Sequence, residues 1–310
     1  MTEQTVFSIV VPVFNEEEVL TELYKRTTSV MDKLGEPYEI IFVNDGSNDG
    51  SLELMKTLHS QDNRVKIINF SRNFGHQIAI TAGLDYASGE AVITIDADLQ
   101  DPPEVIPSLI DKWKEGFDVA YGIREKRTGE SFFKLSTASI FYRFLGKITD
   151  TNIPADTGDF RLMSRKVVDS LKNIRERNRF VRGLVSWVGF PQIGVNYKRE
   201  KRFAGCTKYP LRKMLKFAID GISSFSFLPL RIASYGGFVI SGVGLIYAIY
   251  VIFVKLFTTK MVPGWASLMV AILFLGGVQL IAIGIIGEYI ARIGQETKQR
   301  PLYIIREIIK

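Results

Sequence analysis

The stretch "AVITIDADLQDPPE", Ala91 to Glu104, closes a run of strand-like residues with Asp96 and Asp98, then Gln100, then Asp101 and two prolines. Carboxylates this closely spaced make a poor core, because a buried charge without a partner is costly. They suit holding something positive. A hard divalent cation fits, since it takes oxygen ligands. With one cysteine and two histidines, His59 and His76, the chain cannot form a thiolate cluster or a histidine-rich metal centre. Any metal here is therefore oxygen-bound.

Other polar groups stand where further strands end. Asn15, Glu16 and Glu17 follow "FSIVVPVFN", Asp45 lies in "VNDGSNDGS", and Arg124 and Arg127 follow "DVAYGI". Glu18 and Asp49 have an ordinary explanation, since negative charge is favoured at helix N-termini. Asp45, Asp96 and Asp98 together on one rim point to a binding site. No Gly-x-Gly-x-x-Gly follows the first strand, and no Gly-Lys-Ser/Thr phosphate loop occurs. A dinucleotide oxidoreductase and a P-loop NTPase both lose support. A bound diphosphate then needs another counter-charge, which a cation on the aspartates would supply.

The elements that must position these groups alternate. "FSIVVPVFN", "YEIIFVND", "VKIINF", "AVITIDAD" and "DVAYGI" read as strands. Between them, "EEVLTELYKRTTSVMDKL", with Val19, Leu20, Leu23, Val30 and Leu34 inward, reads as a helix, as do "GSNDGSLELMKTLHSQ", "GHQIAITAGLDYA" and "PPEVIPSLIDKWKEG". This pattern predicts an α/β fold, a mostly parallel sheet with helices on both faces. In such sheets ligands bind beyond the carboxyl ends of the strands, where these polar groups lie.

The chain has 310 residues and 39 basic against 33 acidic side chains, a net charge of +6. That excess does not imply nucleic acid, and none is expected as a partner; anionic lipid head groups and phosphorylated substrates attract the same charge. The first ten residues show no secretory signal, so the N-terminal part is expected in the cytosol. Ile232 to Val254 and Met261 to Gly287 carry no charged residue, and each exceeds the roughly 20 residues that cross a bilayer as a helix. The competing explanation is a pair of buried helices in a soluble core. Lys208, Arg212, Lys213, Lys216 and Arg231 precede the first span, and Arg292, Lys298, Arg300, Arg306 and Lys310 follow the second. Both termini are then expected on the cytoplasmic side. Small residues recur in the spans, so a homo-oligomer is expected. Basic and aromatic residues mix from Glu130 to Thr149 and again from Lys208, which suits a membrane surface; ordinary packed helices would look similar in the earlier segment. The expected organisation is a catalytic domain over 1–207, an amphipathic segment over 208–231, two spans within 232–290 (about 232–254 and 262–287), and a tail over 291–310.

"IVVPVFNEEE", "VNDGSNDGS" and "DADLQDPPE", in this order, resemble the family 2 glycosyltransferases of GT-A fold. With "DTGDFRLMSRKVVD", "REKRFAGCTKYPLRKM" and two spans, the whole chain is similar to the polyisoprenyl-phosphate glycosyltransferases, the group of dolichol-phosphate mannose synthase, and most of all to the bactoprenol glucosyltransferase type. The resemblance implies that Pro12, Asn15, Glu16 and Asp45 line a nucleotide pocket. Asp96 and Asp98 form its Asp-x-Asp element, with Asp98 and Gln100 toward Mg²⁺ or Mn²⁺. It places Asp159 where non-lipid relatives keep an acceptor base, and Arg124, Arg202 and Lys208 on phosphate groups. Cys206 departs from the acidic or polar residue expected before Thr-Lys. The Gln-x-x-Arg-Trp of processive synthases is absent, which disfavours chain elongation.

The implied reaction is inverting transfer of a hexose, glucose from UDP-glucose, onto a polyprenyl (undecaprenyl) phosphate at the cytoplasmic face of a bacterial inner membrane. GDP-mannose or a UDP-amino-arabinose derivative is the alternative donor. A non-catalytic nucleotide-sugar binding protein is the alternative class, and the intact Asp-x-Asp carboxylates weigh against it.

Overall fold

The computed structural model describes residues 5–125, 157–177, 179–200, 228–257 and 264–310. Arg127, Arg202, Cys206, Lys208 and the expected membrane-surface segments over 130–149 and 208–227 lie outside the described residues.

Phe7–Val13 (β1) and Tyr38–Asn44 (β2) are buried along their whole length. They read as unbroken apolar runs because both of their faces are covered. Between them, Glu17–Leu34 (α1) turns Val19, Leu20, Leu23 and Val30 into the core, with Leu34 packed at its margin. Ser51–Gln61 (α2), Val65–Phe70 (β3), His76–Tyr86 (α3), Ala91–Thr94 (β4), Ile106–Lys114 (α4) and Val119–Arg124 (β5) continue the expected alternation. Thr157–Ser164 (β6), Arg165–Asn173 (α5), Val181–Trp187 (α6) and Gln192–Tyr197 (β7) follow.

The strands form one 8-stranded sheet in the order β7-β5-β6-β4-β1-β2-β3-β8, where β8 is Ile305–Ile309. Only β6 and β8 run against the others. The sheet is the mostly parallel, helix-flanked α/β architecture expected from the alternation. The carboxyl ends of β1, β2 and β4 are therefore brought side by side.

Two expectations change. The ladder between β1 and β4 stops at Val10↔Thr94, so Asp96 and Asp98 sit in a loop rather than on the strand. Leu99 turns this loop with φ 55 while its side chain stays buried. Secondly, the expected tail contains β8, which pairs with β3 through Ile67↔Ile309, Ile68↔Ile308 and Asn69↔Glu307. Tyr303 helps to seat it. Its ring stacks on Phe70 at 5.2 Å, and its hydroxyl donates to Asp85 Oδ2 at 2.7 Å.

By compactness the chain divides into Met1–Arg212 with Arg300–Lys310, and Lys213–Gln299. The second unit contains two helices, Leu228–Phe257 (α7) and Trp265–Thr297 (α8). Each holds a stretch long and apolar enough to cross a membrane, Tyr235–Val254 and Phe274–Thr297. The second lies further along the chain than the charge-free run suggests. Side chains such as Phe238, Leu256 and Leu280 point outward and are more than two-thirds exposed, at 77%, 71% and 72%. Surfaces this apolar on two long helices suit lipid rather than water.

Candidate active site

The loops after β1 and β2 latch onto one another. Asn15, held at φ 54, accepts the Asn48 N–H on Oδ1 at 2.8 Å, and its own N–H donates to Ser47 Oγ at 3.0 Å. The Glu16 N–H donates to Ser51 Oγ at 3.0 Å. Asp49 accepts the Ser51 N–H at 3.1 Å at the start of α2, in line with its ordinary explanation. Pro12 is buried in β1 opposite Val43. Asp45 is buried too, and its carboxylate accepts the N–H groups of Phe74, at 2.6 Å, and Gly75, at 3.0 Å. Burial raises its pKa despite those two donors. Gly46 beside it has φ 70, and a Cβ there would stand 2.5 Å from the Asn73 nitrogen. Asp45 and Gly46 thus fix the loop that delivers α3.

The first two residues of α3 reach into a charged cluster. His76 Nε2 lies 3.3 Å from Asp96 Oδ1 and 3.3 Å from Asp159 Oδ2. Gln77 Nε2 donates to Asp159 Oδ2 at 3.0 Å, and Gln77 Oε1 accepts the Val181 N–H at 2.9 Å. Arg182 on α6 donates from Nε to Asp159 Oδ1 at 3.1 Å and from Nη1 to the Thr157 carbonyl at 2.6 Å. Burial alone would raise Asp159, but the charge of Arg182 and the His76 contact hold its carboxyl well below the usual range. Asp96 goes the other way. Burial pushes it up to about 6, with Asp101, Asp159 and Asp98 adding repulsion that His76 only partly offsets. His76, against the lowering effect of burial, is raised to about 9 by Asp96 and Asp159. At neutral pH it is an imidazolium bridging two carboxylates.

A second cluster lies along the same loop. Asp98 Oδ1 accepts the Gln100 N–H at 3.1 Å, a local turn that Leu99 makes possible. Asp101 is fully buried; it accepts the Tyr197 hydroxyl on Oδ1 and Arg124 Nη2 on Oδ2 at 3.2 Å. Arg124 Nε also donates to the Tyr197 oxygen at 3.2 Å. The Asp101 charge outweighs burial and raises the Arg124 pKa.

Of the residues singled out in the sequence, the structure brings Asp96 and Asp159 to one cluster, bridged by His76, and places Asp98 and Gln100 on the adjoining loop, whose Asp101 is reached by Arg124 from the end of β5. Pro12, Asn15, Glu16 and Asp45 belong to the neighbouring strand ends. His76, Gln77, Arg182 and Tyr197 are additions. His76 and Gln77 could have been found by the strand-end argument, because they follow β3 as Asp45 follows β2. Arg182 and Tyr197 carry no comparable signal, since they arrive from elements distant in sequence.

Among the described residues, no three histidine or acidic side chains form a ready metal cage. The donor chemistry still fits a divalent cation. Asp96, Asp98 and Asp101 crowd one loop, and burial, with repulsion from the neighbouring carboxylates, raises the pKa of Asp96. Mg²⁺ commonly takes one or two carboxylates and completes its shell with water and substrate phosphates. Asp98 and Gln100 on this loop carry oxygen donors of the kind such a cation takes.

Comparison with known proteins agrees with this architecture. Residues 8–172 match the description "Glycosyl transferase family 2", and residues 228–293 match "GtrB C-terminal hairpin". The uncharacterized glycosyltransferase YkcC of Bacillus subtilis is 57% identical over 99% of this chain and 95% of its own. The uncharacterized glycosyltransferase sll0501 of Synechocystis is 52% identical over 97% and 95%. The prophage bactoprenol glucosyl transferase homolog of Escherichia coli is 46% identical over 98% and 99%. Sharing the family profile and near-complete alignment with such relatives, the chain belongs to glycosyl transferase family 2 and is a glycosyltransferase with a GtrB-type C-terminal hairpin.

Proposed function

We propose that the chain transfers glucose from UDP-glucose to undecaprenyl phosphate on the cytoplasmic side of a bacterial inner membrane, with inversion at the anomeric carbon. Relatives that carry the name bactoprenol glucosyl transferase, 46% identical over nearly the whole chain, support a glucosyl group and a bactoprenol acceptor. The observation that carries the chemistry is the state of Asp159, clamped by Arg182 and His76 and kept ionised. So stabilised a carboxylate is a weak base. An alcohol acceptor would need a good one, whereas a phosphate monoester, with a second pKa of about 6, is already largely dianionic at pH 7.

In this scheme a lipid phosphate oxygen attacks the anomeric carbon as the bond from that carbon to the diphosphate breaks. UDP leaves, and no proton changes hands. A divalent cation, Mg²⁺ or Mn²⁺, bound at Asp98 and Gln100 would supply positive charge to the diphosphate. Asp159 serves as a fixed anchor for His76 and Arg182, and the shared imidazolium keeps Asp96 close to it despite like charge. Arg124, set by Asp101 and Tyr197, offers a guanidinium to phosphate.

The hairpin serves the acceptor. Moving a prenyl chain out of the bilayer costs about 0.8 kcal/mol per CH₂, so the site has to work at the membrane surface. The basic residues flanking both spans favour cytoplasmic ends. The pairing of β8 with β3 supports the same topology, because the chain must return after α8 to the side that holds the sheet.

The test is to incubate the purified full-length chain and Mn²⁺ with undecaprenyl phosphate and a panel of UDP-glucose, GDP-mannose and UDP-amino-arabinose derivatives. Mass spectrometry then identifies the lipid product. A hexosyl phospholipid formed from UDP-glucose is expected. Product from another donor would move the specificity, and no lipid product from any donor would overturn the proposal.

A further inference from the structure

Two guanidinium groups share one buried carboxylate beside the Asp96–Asp101 loop. Asp101 already accepts hydrogen bonds from Arg124 and from the Tyr197 hydroxyl. Arg199, two residues after β7, approaches the same carboxylate with Nε, 3.9 Å from Oδ1. That Nε is buried and has no hydrogen-bond partner among the described residues. Asp101 thus faces two guanidinium groups and hydrogen-bonds one of them. Burial and the charge of Arg124 lower the Arg199 pKa against the opposing pull of Asp101 and Asp98.

The location of this unpartnered guanidinium nitrogen is specific. The Glu200 N–H donates to the Gln100 carbonyl at 3.0 Å, which ties the segment bearing Arg199 to the loop bearing Asp98. On the other side Gly158, next to Asp159, leaves room for the pair. A Cβ there would stand 2.6 Å from Arg124 Nη2 and 3.5 Å from Asp101 Oδ2. Arg199 remains about one-third exposed, at 31%, so it is accessible to a ligand as well as held. An arginine serving only the fold would be expected to make the paired, close contacts typical of guanidinium with carboxylate. Arg199 makes none with Asp101.

We infer that Arg199 is a further phosphoryl-binding residue of this site, and that it takes an anionic oxygen of either the donor diphosphate or the lipid monophosphate. The inference rests on the proposed reaction for the identity of those ligands.

The experiment compares full-length wild type, Arg199→Gln and Arg199→Lys in lipid nanodiscs. It measures UDP affinity by isothermal titration with Mn²⁺ present, kcat and KM for undecaprenyl phosphate, and the thermal midpoint. For Arg199→Gln, one of the two ligands is expected to bind about tenfold more weakly, the effect of one lost charge-assisted hydrogen bond, at an unchanged thermal midpoint. Arg199→Lys is expected to recover part of the loss. Weaker UDP binding assigns the contact to the donor, and a raised KM for the lipid assigns it to the acceptor. Both constants within twofold of wild type, or losses that merely follow a lowered midpoint, overturn the inference. Should wild type transfer nothing to undecaprenyl phosphate, the proposed reaction falls. The UDP measurement then decides alone: weakened binding in Arg199→Gln upholds the inference and unchanged binding overturns it.

Discussion

His76 Nε2 stands 3.3 Å from Asp159 Oδ2 and at the same distance from Asp96 Oδ1, so one ring nitrogen joins a carboxylate of β6 to one in the loop after β4. Those charges raise His76 from an ordinary 6.5 to about 9. A folded-state pKa above the unfolded one stabilises the fold while the group is protonated. The contribution is complete below pH 6.5 and is lost as pH climbs through about 9. Thermal midpoints of the wild type should therefore decline across that window. His76→Gln, which has nothing to titrate there, should show a flatter profile; parallel profiles would contradict the ionic bridge.

Asp159→Asn tests whether this carboxylate acts as a base. The substitution leaves Arg182 and His76 without their shared anion, and breaking a buried pair costs roughly 3–5 kcal/mol. Both the melting temperature and turnover should fall. Because the acceptor is already ionised in the proposed reaction, raising the pH should not restore the rate. Recovery at alkaline pH would restore the case for Asp159 as a general base.

Asp98→Asn addresses the cation. Loss of a charged oxygen donor should nearly abolish transfer and weaken metal-dependent UDP binding, while the thermal midpoint without metal stays near that of the wild type. Chelation of divalent ions should reduce wild-type activity in the same way. Turnover unaffected by either treatment would remove the metal from this loop.

Leu99 offers a test of backbone strain. At φ 55 a residue with a Cβ is held in a conformation that glycine adopts freely. Leu99→Ala and Leu99→Gly should both destabilise, because each empties a buried position. Their order should invert the usual one, with glycine the more stable by about 1 kcal/mol. Thermal or urea melts of the two variants decide it.

The first half of the sheet was legible because its strands are covered on both faces and its helices carry regular apolar stripes. β6 was not. Its eight residues, "TGDFRLMS", are all buried, yet Asp159 and Arg161 break the apolar run. Those charges are tolerated because Arg182, His76 and Gln77 surround Asp159, and Arg161 Nη2 donates to the Gly158 carbonyl at 2.9 Å. β8 was hidden for another reason: its partner, β3, lies on the far side of two apolar helices in sequence. The strand-end argument located Asp96, Asp98 and Asp45 but could not foresee which side chains would meet them. His76 looked uninformative as one of only two histidines, and its importance comes from the carboxylates around it.

Translation order gives β8 a further significance. The ribosome makes both long apolar helices before it makes Ile305–Ile309, so the outer edge of β3 waits uncovered while they emerge. An open edge is prone to pair with the wrong strand. Closing the sheet is thereby deferred until the hairpin has been synthesised, and a chain cut short before Ile305 keeps a raw, aggregation-prone margin.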